Sequence, residues 1–535
     1  MCVFNALKSN LLTFFLLLGA FVASAQVSQP TRYELEKKNS YDFAKVLSAG
    51  EYGVVIFQET EEHRRDEGTI WQVVVLDTLL QERLNFEVGI ESYFIFKGYD
   101  LYKEHLLLVF RDGDGVKSDF HIISVNILTG SIDKFEIKNE IELELSHMTV
   151  IENTIVFAGY VRFSPTLLSY RLGEENFDVI PGYFKDKSDV LHLRSNENGT
   201  FSVLTLEKGY DGHYMRVRTY SPAGKMLFEK EIVVPPHHSL VDAKVTDFVN
   251  GNLAVTGTYG RGGNNSAQGF FFLSVKPSDQ KEDIQYVGYD DLTHYFDYMG
   301  EKRAERMKSK IERKENSGKD FNYSAKLYLH EVKEVRDGFL VAAEVYDPRY
   351  ERNNSVANMY SPYFNPASIG QLNGTMAEQR YIRRPVAMQG SNEANHFKYL
   401  ESIVFKIDLK GNVVWDNSLP IDDLDSYSLE KVMAYDVVGR DVKMLYKSEG
   451  KFNYKLADER DLIAENELDI SLLYEDDELD HDYDGIGGAE HLAGNSFIVW
   501  GYQKVRNKNR EDLSNRRGVI FVNKINFTSQ VDELE

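Results

Sequence analysis

The feature that most constrains this chain is a phrase that keeps returning. A strand ends, a turn with a polar residue or a glycine follows, and a shorter strand begins with an aromatic a few residues on. It reads VVVLDTLLQERLNF at Asp77, IISVNILTGSIDKF at Asn126, LLSYRLGEENF at Arg171, RVRTYSPAGKMLF at Ser221, FFLSVKPSDQKEDIQY at Lys276, VFKIDLKGNVVW at Asp408, YKLADERDLIAENEL at Asp458 and IFVNKINF at Lys524. Successive anchors lie 45 to 66 residues apart, except for one interval of 132. The stretches between them, such as EYGVVIFQ, TIWQVVVLD, HLLLVFRD and GFFFLSV, are short, apolar and rich in β-branched and aromatic residues, with turn residues at their ends.

A unit of roughly 40 to 50 residues holds four antiparallel strands, and one such sheet alone leaves both faces in water. Radial packing of neighbouring sheets buries those faces, so the period predicts an all-β fold, a β-propeller of eight four-stranded blades over 26–535. The anchors at Arg171 and Asp458 are the weakest, which leaves seven blades, or two smaller β domains, as alternatives. The final repeat shows three strands, near 486–492, 495–502 and 517–526, and TRYELEKK (31–38) is available as its missing outer strand.

The long interval holds two insertions. The first, 290–318, places Leu292, Phe296, Met299, Met307 and Ile311 at helical spacing, with acidic residues at its start and Gly318 beyond its end, and predicts an amphipathic helix covering the propeller. The second, 346–396, is rich in Asn, Gly and Pro, carries many aromatics and has little periodicity, so it reads as a long surface loop within a blade.

Residues 1–25 have the form of a secretory signal peptide: Lys8, an apolar run from Leu11 to Val22, then Ala23-Ser24-Ala25. The apolar run is short for a membrane span of about 20 residues and no second one follows, so no transmembrane anchor is expected. The only cysteine, Cys2, would leave with that segment, which removes disulfides, thiol nucleophiles and Cys-ligated zinc from the mature chain. A formal charge of -23 argues against a nucleic-acid partner, because such an acidic chain repels phosphate.

Motifs that carry chemistry are few. Neither G-x-S-x-G nor a phosphate-binding G-x-x-x-x-G-K-[ST] occurs, and no histidine pair has zinc-ligand spacing. His237-His238 reads as linker, Gly260 to Gly263 as a hairpin-like glycine cluster, and Asp112-Gly113-Asp114-Gly115 as a turn. Asp480-His481-Asp482-Tyr483-Asp484-Gly485 alternates carboxylates before a glycine, a pattern that can converge oxygens on a hard cation, so Asp480, Asp482 and Asp484 are candidate calcium ligands. The run resembles the first half of an EF-hand loop and the calcium hairpins of integrin-type propellers, over about a dozen residues. It departs from both, with His491 at the final EF-hand position and Gly488 where the propeller hairpins supply a further acid. The alternative is that the run, with Glu475, Asp476, Asp477 and Glu478 before it, is an acidic connector between blades that is simply solvated.

Asp408-Leu409-Lys410-Gly411-Asn412-Val413-Val414-Trp415 resembles the D-x-x-G-x-x-x-W docking motif of quinoprotein-like eight-bladed propellers. The resemblance implies a similar blade pattern. Those propellers repeat the tryptophan in most blades, whereas this chain has Trp71, Trp415 and Trp500, so no quinone cofactor is expected; the missing phosphate-binding loop removes the expectation of a nucleotide one.

Against the acidic background, the second insertion is basic and aromatic. Arg349, Tyr350, Tyr360, Tyr363, Phe364, Tyr381, Arg383 and Arg384, with Arg352 and Arg380, are residue types enriched at binding hot spots. They suit an acidic protein partner or a glycan; alternatively they fold back as a plug over the ring. The leading expectation is a secreted or periplasmic, noncatalytic binding module that recognises a protein or glycan at the cell envelope or beyond through loops at one end of the ring. The competing expectation is a propeller enzyme, a glycoside hydrolase or lyase, that uses carboxylates in the central funnel. Nothing in the sequence specifies an oligomeric state.

Overall fold

The computed structural model describes residues 27–37, 44–91, 93–113, 117–162, 164–182, 188–208, 212–235, 238–248, 252–260, 266–276, 283–318, 323–349, 396–426, 429–510 and 514–528. Eight antiparallel sheets follow one another along the chain, at 44–90, 94–137, 144–179, 188–233, 239–288, 326–426, 433–469 and 478–527. They are called blades 1 to 8 below. Blades 1 to 7 each have four strands in sequence order, with a short extra one, Lys333–Val335, in blade 6, whereas the range of blade 8 holds three strands.

The ring is closed by burial. Because side chains alternate across each strand, every blade feeds two wedges. In Val54–Arg64, for example, Val55 and Phe57 enter the wedge shared with blade 2, whereas Val54 and Ile56 enter the one shared with blade 8. Eight apolar clusters result, one between each pair of neighbours. The cluster joining Ile498, Trp500 and Val522 to Val46, Ile56 and Val74 ties blade 8 to blade 1, so the fold is one eight-bladed ring and neither seven blades nor two β domains.

The recurring phrase has a physical basis. Asp77, Asn126, Ser221 and Asp408 each stand where the third strand turns into the fourth, and their side-chain oxygens accept backbone N–H bonds from two to four residues on. Gly224 and Gly411, at φ 73° and 91°, supply the left-handed residue that such turns need. Asp408-x-x-Gly411 is this hairpin, and Trp415 just beyond it is buried between blades 6 and 7.

Lys524 differs from the other anchors. It lies inside the strand Arg516–Phe527, and the fourth strand of blade 8 is Val27–Glu36 from the far end of the chain. Charge reinforces this closure. Arg32 and Glu34 of that strand join Arg517 and Asp477 in a network whose side chains are all at most 5% exposed. Asp477, expected in a solvated connector, is fully buried, and although burial opposes it, Arg517 and Asn507 hold its carboxyl below the usual range.

The interval of 132 residues is accounted for by blade 6, not by a lost blade. Within each blade the strands are antiparallel, so the link into a blade and the turn between its second and third strands lie at one end of the ring, the link end. The other two turns lie at the hairpin end. The link from blade 5 to blade 6 contains helix α1 (Glu301–Asn316), and the second insertion leaves blade 6 after Arg349 and re-enters at His396, so both depart from the link end. Leu292 and Phe296 fall in the turns before α1 rather than in it; with Tyr295, Ala304 and Ile311 they pack into the wedge between blades 5 and 6. Residues 350–395 and the N-terminal 1–26 lie outside the described residues.

Candidate functional site

The first strand of each blade lines the ring axis. A cavity of about 850 Å³ there takes Asp100 from blade 2, His147 from blade 3, His192 and Arg194 from blade 4, Lys244 from blade 5, and Glu331, Lys333 and Glu334 just after the first strand of blade 6. Glu197 and Asp247, which also line it, stand in turns between first and second strands, so this funnel reaches the hairpin end.

At its centre Glu331 Oε1 meets two groups, Nε2 of His192 at 3.1 Å and Nζ of Lys244. His192 Nδ1 accepts the Val245 N–H at 3.2 Å, which puts the ring proton on Nε2 and makes that nitrogen the donor to Glu331. Burial lowers the His192 pKa and keeps the ring neutral at pH 7, against the pull of Glu331. For Glu331 burial acts to raise the pKa, but His192 and Lys244 outweigh it and hold the carboxyl well below its ordinary value. Of the Glu331 side chain 54% is open to the funnel, so an ionised acceptor is presented there.

The remaining lining carries charge of both signs. Lys333 Nζ sits 4.3 Å from the centre of the Tyr435 ring, and burial lowers its pKa. Neither Lys333 nor Arg194 is within ion-pair distance of a carboxylate among the described residues, and Arg194 Nε is buried without a hydrogen-bond partner. Burial raises Asp100 to about 6, despite N–H bonds from Val150 and Leu101 that favour its charged form. Glu334 is also raised, by burial first and then by Asp247. Behind the funnel, His330 Nε2 lies 2.7 Å from Glu344 Oε2 but poorly aligned for a hydrogen bond, and Glu344 Oε1 accepts N–H bonds from Val432 and Met433, stapling blade 6 to blade 7.

The residues singled out in the sequence lie elsewhere. Arg349 is at the link end of its strand, 3.3 Å from Asp347, and Tyr350, Tyr360, Tyr363, Phe364, Tyr381, Arg383 and Arg384 are outside the described residues. Asp480 and Asp482 belong to the strand Glu478–Ala493. Asp480 pairs with Arg506, and Asp482 Oδ2 accepts from Lys447 Nζ and from Gly450 N, both at 2.6 Å. The Asp484 side chain is outside the described set. Among the described residues no three His, Cys, Asp or Glu side chains group so as to hold a metal ion. His238 stacks on Tyr286 with ring centres 4.1 Å apart.

Reading motifs one at a time missed the funnel, although a signal existed. Asp100, His147, His192 and Lys244 follow the anchors Asp77, Asn126, Arg171 and Ser221 by 21 to 23 residues. A polar residue at one phase of a repeat marks one place on every blade, and the ring brings those places to a common axis.

No family model and no curated protein matches this sequence. Similar solved structures include a prolyl endopeptidase (10% identity, TM-score 0.39, covering 88% of this chain and 54% of that one). They also include the Dos1 propeller (10%, 0.38, covering 82% and 94%) and the polysaccharide lyase Uly1 (8%, 0.37, covering 81% and 90%). The match spans about half of the prolyl endopeptidase's length.

Proposed function

We propose that this propeller is an exported, noncatalytic binding module whose axial funnel takes a ligand bearing an anionic group beside hydroxyls, as an acidic glycan does. One observation carries the reading: Lys333 and Arg194 line the funnel with no carboxylate partner among the described residues, next to the water-facing acceptor Glu331. A ligand carboxylate or sulfate answers the two cations, and a ligand hydroxyl donates to Glu331. The aromatic and basic 346–396 insertion, whose described ends Arg349 and His396 lie at the link end, is a separate contact element in this reading. Export rests on residues 1–25 and is checked by the N-terminus of the mature protein.

The test is calorimetric titration of the full mature chain with oligogalacturonate and with a chondroitin-sulfate hexasaccharide. Binding of either should weaken at least tenfold in Lys333→Gln and in Arg194→Gln. Binding unchanged by both substitutions would remove the funnel from the proposal.

A second reading, a hydrolase or lyase, is favoured by one observation. Within one cavity Glu331 is pushed down while Asp100 and Glu334 are pushed up, the divergence expected of a base and an acid. Product release from the same oligosaccharides, abolished by Glu331→Gln, would replace the binding module with an enzyme.

A further inference from the structure

We propose that the outward face of α1 docks an acidic segment of a partner protein in extended conformation. The helix is built in two halves. Ala304 and Ile311 are buried in the wedge between blades 5 and 6, with Met307 packed against them. That fastens the apolar side to the ring. Lys302, Arg306, Lys310 and Arg313 are all exposed, and at i, i+4, i+8 and i+11 they form one stripe pointing away from it.

Charge on α1 is sorted. Glu301, Glu305 and Glu312, the glutamates of α1 whose side chains are described, fall together on a flank roughly 110° round from the stripe, at about 100° per residue, so none of the three interrupts the cations. Lys302, Arg303 and Arg306 make no ion pair with any described residue, and Arg313 Nε bonds only the Ser309 carbonyl, at 3.3 Å. A helix that needed its lysines and arginines for solubility would intersperse them with acids. In a chain of net charge -23, an unbroken cationic stripe is a local reversal of sign.

Spacing selects the occupant. Residues four apart rise about 6 Å along a helix, and the stripe from Lys302 to Arg313 runs about 16 Å. Alternate residues of an extended chain lie about 6.6 to 6.8 Å apart on one side, so three or four alternating carboxylates meet the stripe nearly in register. Two of its members are arginines, which grip carboxylates with two parallel bonds. A lipid surface fits less well, because the apolar face that would enter it is already spent on the wedge.

The test uses the full mature protein and a fluorescein-labelled dodecapeptide of alternating Glu and Ser. The stripe variant is Lys302→Glu, Arg306→Glu, Lys310→Glu and Arg313→Glu together. A matched variant, Lys103→Glu, Lys134→Glu, Lys225→Glu and Lys410→Glu, changes net charge equally at exposed sites elsewhere. Circular dichroism and the unfolding midpoint check that both fold. Peptide binding should fall at least tenfold in the stripe variant and less than twofold in the matched one, and weaken as salt is raised. Equal losses in the two variants, or no binding by the unsubstituted protein, overturn the proposal. So does stripe-dependent binding of phosphatidylserine vesicles or a sulfated oligosaccharide without binding of the peptide.

Discussion

Two lysine–carboxylate pairs in this molecule are chemically alike and placed in opposite settings. Lys447 and Asp482 meet in the wedge between blades 7 and 8, with side chains 2% and 5% exposed. Lys244 is equally hidden at 6%, but its partner Glu331 is 54% open to the funnel. In the wedge both charges are out of water, so each needs the other and the pair locks two blades together. In the funnel the carboxylate keeps its hydration, so it can exchange water for a ligand. Setting, rather than residue type, separates a structural ion pair from a candidate recognition group.

The largest effect expected comes from the closed side of that comparison. Removing 27–36 takes the fourth strand from blade 8 and withdraws Arg32 and Glu34 from their buried network, and calorimetry should show the single unfolding transition lost. Next, Asp482→Ala removes the buried carboxylate that Lys447 and Gly450 hold between blades 7 and 8, at about 3–5 kcal/mol by denaturant titration. Because Asp482 is occupied by Lys447 and Gly450, that loss should be the same in calcium and in EDTA; a loss confined to calcium-loaded protein would restore Asp480, Asp482 and Asp484 as metal ligands.

The open side should respond more in binding than in stability. Glu331→Gln is expected to cost less than Asp482→Ala, since Glu331 is open to water and the amide oxygen can still accept from Lys244 and His192, while weakening oligosaccharide binding at least tenfold. A stability loss as large as that of Asp482→Ala would erase the distinction between the two settings.

Acid sharpens it further. Glu331 is lowered in the folded state, so its contribution is present above the unfolded carboxylate range and is lost as pH falls through its folded value. Asp100 is raised from 3.8 to about 6, so between those values the folded state holds the extra proton and this group favours folding as pH falls. Subtracted from those of the parent, unfolding midpoints of Asp100→Asn should slope between pH 3.8 and about 6 and those of Glu331→Gln below pH 4.5, in opposite directions. The smallest effect is that of the α1 stripe variant, whose stability should stay within about 0.5 kcal/mol because the substituted side chains are exposed.

Much of the architecture was legible in the chain because it is local. A turn that needs an oxygen acceptor followed by a left-handed residue leaves a mark such as Asp408-Leu409-Lys410-Gly411 wherever it occurs, and its return at Asp77, Asn126, Ser221 and Asp408, among strand runs of similar spacing, announces blades. The funnel was not legible in the same way. His192, Lys244 and Glu331 are single polar residues in three blades, with no motif joining them, and only their phase against the anchors hints at a common place.

The sequence by itself determined the repeat and the strand content, since these follow from periodicity and short-range turn chemistry acting within about 50 residues. Tertiary structure decided which charges are hidden and which face water. The alternating acids of 480–484 looked like a site and Asp477 looked solvated, yet Asp482 and Asp477 are buried against Lys447 and Arg517. Glu331, unmarked in the chain, stands open at the axis. Burial of a charge depends on what the ring brings to it from other blades, and that is a property of the closed fold and not of any stretch of chain.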